Sequence, residues 1–126
     1  TNTARVFAAT VERLEKIIVR LESRIAKVKA AGNDTSVSER YVAEAKTYLS
    51  AAKTNIALFV SIDLTSSKAQ QNFERIRTLA QETKEHIRSA HTSLMNAIRN
   101  LKGYRADVKL EVNDKGEKAD VDIQVQ

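Results

Sequence analysis

Apolar residues recur at alternating steps of three and four over most of the chain, then switch to strict alternation after Gly103. The first period is the buried seam of a packed helix, and the second is one face of a β-hairpin. The first seam reads Phe7, Val11, Leu14, Ile18, Leu21, Ile25, Val28. This unbroken heptad pattern predicts a helix over 3–31 with gentle left-handed supercoiling. Gly32 follows as the C-terminal cap, because a residue without Cβ enters the left-handed region at little cost. Asn33, Asp34 and Thr35 form the turn.

Ser36 and Glu39 have the spacing of a capping box and open a second helix over 37–60. Its seam is Val42, Ala45, Leu49, Ala52, Ile56 and Phe59, with Tyr41 and Tyr48 covering the edge. Ala45 and Ala52 keep part of this layer small, which lets a neighbouring helix approach closely. A connector follows Val60, and its Ile62 and Leu64 are expected to tuck onto the bundle end. Ser66 or Ser67 caps a third helix over 67–102. Its seam runs Ala69, Phe73, Ile76, Ala80, Thr83, Ile87, Ala90, Leu94, Ala97, Leu101, and Leu79 and Ile98 widen the stripe enough to meet two partners. Short connections make successive helices antiparallel, so residues 1–103 are expected to form an up-down-up three-helix bundle.

Beyond Gly103, the apolar positions Ala106, Val108, Leu110, Val112 and Ala119, Val121, Ile123, Val125 flank a turn signal, Asn113-Asp114-Lys115-Gly116. Pairing Val112 with Glu117 puts all eight side chains on one face of a hairpin spanning 104–126. The expected class is therefore mainly α: an antiparallel three-helix, coiled-coil-like bundle followed by a C-terminal β-hairpin. Two strands alone are marginal in water, so that hairpin would need a covering surface. That surface is either the open end of its own bundle or a second copy; in the second case the eight residues are the candidates for self-association, with the chain itself as partner in a homo-oligomer or fibre.

Composition supports one domain of closely packed helices. The 126 residues include no Pro, no Trp and no Cys, and three Gly. Lacking Cys, the chain has no disulfide, thiolate metal site or cysteine nucleophile. No run approaches the roughly 18 apolar residues of a membrane span. The chain opens on Thr1 rather than Met, which leads us to expect removal of a signal segment and an extracytoplasmic or secreted location.

The net charge of +5 is unevenly spread: residues 1–31 carry +4, 32–65 carry −1, 66–104 carry +4 and 105–126 carry −2. Arg13, Lys16, Arg20, Arg24 and Lys27 form a basic stripe along the first helix. Such a stripe attracts polyanions: nucleic acid, cell-wall polymer or an anionic membrane surface. Glu12, Glu15 and Glu22 are interleaved with it, and no aromatic platform for stacking bases accompanies it.

Catalytic chemistry is not indicated. His86 and His91 are five apart and do not share a helical face; Glu82 is four before His86, but no third ligand or HExxH motif joins them. No Gly-rich phosphate loop or nucleophile elbow is present. We therefore expect a non-enzyme with no cofactor, no metal and no small-molecule substrate.

The stretches Arg13-Leu14-Glu15-Lys16-Ile17, Arg20-Leu21-Glu22-Ser23-Arg24-Ile25, Gly32-Asn33-Asp34-Thr35 and Ala43-Glu44-Ala45-Lys46 resemble small, uncharacterised, predicted-secreted helical-bundle proteins of uncultivated bacteria. The resemblance covers about residues 10–103, omits the hairpin and implies an extracytoplasmic location but no activity. The heptad layout is also similar to spectrin-like repeats, without their characteristic Trp. Together these readings lead to two functional expectations. The first is a structural protein that self-associates through its hairpin into a filament or surface layer. The alternative is a monomeric module that binds an anionic polymer through its basic helix face.

Overall fold

A computed structural model describes residues 2–62 and 68–101. Three helices account for 90% of them: α1 (Asn2–Ala30), α2 (Ser36–Ser61) and α3 (Ala69–Arg99). They pack together as a helical bundle; α1 and α2 begin and end within one residue of their expected bounds, whereas α3 stops at Arg99, three residues short of the expected 102.

The fold class requires correction. The described residues are all-α and contain no strand or sheet, so a bundle followed by a β-hairpin is not the class they show. Residues 104–126, where the hairpin was expected, lie outside the described residues, and the cap of α3 is Lys68 in place of the expected Ser66 or Ser67. Alternation specifies which side chains would share a face but supplies no surface to cover that face, and two strands gain little from pairing alone.

All seven α1 seam residues, Phe7 to Val28, are buried. So are Val42, Ala45, Leu49, Ala52 and Phe59 of α2. The helices do not contribute equally. α2 and α3 approach each other most closely, and α1 stands further from both. Side-chain size accounts for this: the buried residues of α2 and α3 include Ser38, Ala45, Ala52, Ala90, Ser93 and Ala97, whereas those of α1 are mostly large and aliphatic. The Ser38 hydroxyl donates to the Ala97 carbonyl at 2.7 Å, a reach that requires near contact between the two backbones. That carbonyl belongs to the last turn of α3, where helix carbonyls lose their normal donors. The Leu101 N–H, which would serve it in a continuing helix, bonds Ile98 instead.

At the other end, Phe7 and Phe59 meet edge to face at 6.4 Å, beside Ala4 and Leu79. Ile62 packs against this cluster as expected, whereas Leu64 lies outside the described residues. The α3 seam departs from expectation here. Leu79 is buried and Ala80 partly buried against the core, as expected, but Phe73 is 54% exposed. Near this end Leu79 is buried, with Ile76 and Ala80 packed beside it, and burying these apolar side chains removes their surface from water.

Gly32 has φ +96° and closes α1. Its N–H bonds Lys29 and the Asn33 N–H bonds Val28, the paired bonds of a Schellman motif. The start of α2 corrects the capping box by one residue. Thr35, not Ser36, holds the cap position, and its hydroxyl donates to the Glu39 carboxylate, while the Ser36 N–H is taken by Asp34 Oδ1.

This hydrogen bond, followed by the positive charge of Lys29, lowers the Glu39 pKa below its ordinary value of 4.5; burial and Asp34 oppose the shift. A lowered folded value stabilises the α1–α2 turn above the ordinary carboxylate pKa. The contribution is lost as pH falls through the lowered folded value. Thr35→Val should therefore raise the Glu39 pKa toward 4.5, and by more than Lys29→Gln does, in an NMR titration of the side chain. The opposite order would make Lys29, rather than the hydroxyl, the principal cause.

Candidate functional site

Helical position sorts the charges of α1 by flank. One row beside the seam carries Glu12, Glu15, Val19, Glu22, Ala26 and Lys29. The row on the other side reads Thr10, Arg13, Ile17, Arg20, Arg24, Lys27, again in steps of three and four. Lys16 lies between them on the outermost line with Ala9, Ser23 and Ala30.

The first row faces α2. Glu15 pairs with Lys53 at 2.7 Å, Glu22 pairs with Lys46, and Lys29 pairs with Glu39 at 3.6 Å. The partners advance by seven on α1 and retreat by seven on α2, forming an antiparallel ladder. Every member is at least 40% exposed, so each pair contributes only about 0–1 kcal/mol. The ladder's consequence is register and partner choice. It also answers the objection that acids interrupt the basic stripe. Glu15 and Glu22 are drawn to α2, away from Arg13, Arg20, Arg24 and Lys27.

The second row faces α3. Four of the five expected stripe residues, Arg13, Arg20, Arg24 and Lys27, are brought onto it, and Lys16 is left on the outer line. Arg13 reaches the buried Thr10 hydroxyl, which itself bonds the Val6 carbonyl. Arg24 is half-buried.

The facing flank of α3 follows from its contacts. Glu82 accepts from Asn55, and Ser93 donates to Glu44, so that side of α3 belongs to α2. The other flank, toward α1, reads Gln81, Lys84, Arg88, His91, Met95, Ile98. It contains no carboxylate. Lys84 and Arg88 are exposed, and His91 is half-buried. Reading the first helix alone misses these three. Their signal was the i, i+4, i+7 spacing beside the third seam.

Glu82 is thus committed toward α2, and no group of three metal-ligating side chains occurs among the described residues. No helix among them is long and apolar enough to cross a membrane. The residues expected to mediate self-association, Ala106, Val108, Leu110, Val112, Ala119, Val121, Ile123 and Val125, lie outside the described residues. Comparison with protein-family models, with curated proteins and with solved structures found no match.

Proposed function

We propose that this chain is a non-enzymatic helical module that binds an anionic polymer through the basic flank of α1. The observation that carries this reading is the division of charge across that helix. Its three glutamates fall on the α2 side, and Arg13, Arg20, Arg24 and Lys27 fall on the other. A like-charged row on a rigid helix concentrates positive potential, and neutralising phosphates or similar groups releases bound counterions.

The test compares two pairs of substitutions that remove the same net charge. Arg20→Gln/Lys27→Gln should lower the salt concentration needed to elute the protein from a heparin column. Lys46→Gln/Lys53→Gln, on the α2 side, should lower it much less. Equal shifts would mean that only net charge matters, and the reading would fail.

A further inference from the structure

Building on that reading, we infer that the site is a two-walled groove between α1 and α3, and that its ligand is a single extended phosphodiester strand. Lys84 and Arg88 supply the second wall. The inference rests on how the charges are matched in height.

Contacts through α2 fix those heights. Lys53 meets Glu15, while Asn55, two residues on, meets Glu82. Arg13 and Lys84 therefore stand near one level. Lys46 meets Glu22, while Glu44, two residues earlier, meets Ser93. Arg24 and His91 therefore stand near another, with Arg20 and Arg88 between. Arg13 with Lys84 and Arg20 with Arg88 form two rungs that are basic on both sides, and Arg24 faces His91 in a third. From Arg13 to Arg24 they cover about 16 Å at 1.5 Å per residue.

Like charges facing each other across two helices do not stabilise the fold, and similar bundles place opposite charges there, as this one does along α1 and α2. The α1–α3 rows carry no carboxylate from Thr10 to Lys27 or from Gln81 to Ile98.

The class of ligand follows from residue type and placement. Four of the six cationic groups, Arg13, Arg20, Arg24 and Arg88, are arginine, whose planar fork matches phosphate oxygens. The remaining positions between them are Ile17, His91, Met95 and Ile98, with no Phe, Tyr or Trp to stack a base. Recognition is therefore of the backbone and not of bases. A flat membrane would be met by the outermost line of α1, yet that line is Ala9, Lys16, Ser23 and Ala30. The cations lean into a groove, which suits a chain and not a plane.

Two chemically related sources exist, a single-stranded nucleic acid and a poly(polyol phosphate). The test measures affinity and its salt dependence for a labelled oligothymidylate of about eight nucleotides, the abasic strand of equal length, poly(glycerol phosphate), and phosphatidylglycerol vesicles. Wild type is compared with Arg13→Gln/Arg20→Gln and with Lys84→Gln/Arg88→Gln, with folding checked by circular dichroism.

Each pair should weaken strand binding by tenfold or more and flatten the log–log salt slope by about 1.4, at about 0.7 per phosphate contact. Oligothymidylate and its abasic counterpart should bind alike. Preference for poly(glycerol phosphate) over the abasic strand would assign the source to a polyol phosphate, and the reverse to a nucleic acid. If the α1 pair weakens binding and the α3 pair does not, the second wall is refuted and the single-helix reading stands. If neither pair matters, both readings fall. Tighter binding to vesicles at equal phosphate concentration, or a large gain from bases, would also overturn the groove.

Discussion

Leu49→Asp is expected to abolish the folded bundle. Leu49 is 2% exposed and sits midway along α2, within the main core cluster. Its neighbours along the α2 seam are Ala45 and Ala52, both fully buried and unable to form a hydrogen bond with a carboxylate. A charged or protonated aspartate there loses its hydration without a partner, at a cost of several kcal/mol. Domains of this size are stable by only about 5–15 kcal/mol, and the lost leucine packing adds about 2–5 kcal/mol. Circular dichroism should show loss of most helical signal at 25 °C. The exposed control Val19→Asp should keep it, since Val19 is 66% exposed. A helical Leu49→Asp protein with near-native stability would show that this seam is not the core.

The helices were legible because the core repeats. A seam stepping by three and four leaves little freedom about which face is buried, and the α1 assignment held at every seam position. Gly32 was equally legible, since its positive φ is a local requirement. The pattern misled where no repeat constrained it. Near the start of α3 Phe73 was placed in the seam by spacing, yet it is 54% exposed, while Ile76, Leu79 and Ala80 pack against the core. The eight alternating residues after Gly103 were read as a strand pair from local spacing alone, and all-α is the class that the described residues support.

The candidate site was only half legible, for a reason of symmetry. An up-down-up bundle can place its third helix on either side of the first two, and hydrophobic spacing is the same in both arrangements. The charges held a clue: Glu15, Glu22 and Lys29 are opposite in sign to Lys53, Lys46 and Glu39, each a heptad apart. That match selects the flank of α1 that faces α2. It leaves the flank of Arg13, Arg20, Arg24 and Lys27 toward α3, where Lys84 and Arg88 become visible as neighbours. Reading α1 as an isolated stripe grouped Lys16 with these residues, although it points along a different line.

Ala97→Leu should destabilise the bundle by more than overpacking alone, because it acts on the closest helix contact. Ala97 is fully buried where α3 meets α2, and its carbonyl accepts the Ser38 hydroxyl. Extra carbon atoms in a filled seam cost about 1–3 kcal/mol. Separating the helices also breaks the 2.7 Å hydrogen bond and leaves a buried hydroxyl and carbonyl unsatisfied. That raises the expected total to about 3–5 kcal/mol. Ser38→Ala alone should cost about 1–3 kcal/mol, since it leaves only the carbonyl without a partner. The two losses should not add. Once Ala97→Leu has broken the bond, adding Ser38→Ala should cost close to nothing, giving a coupling of about 1 kcal/mol or more in urea unfolding. Val28→Leu, on the looser α1 side, should cost less than Ala97→Leu. Additive losses within about 0.5 kcal/mol would mean that the bond survives the larger side chain, and that small residues do not set the distance between α2 and α3.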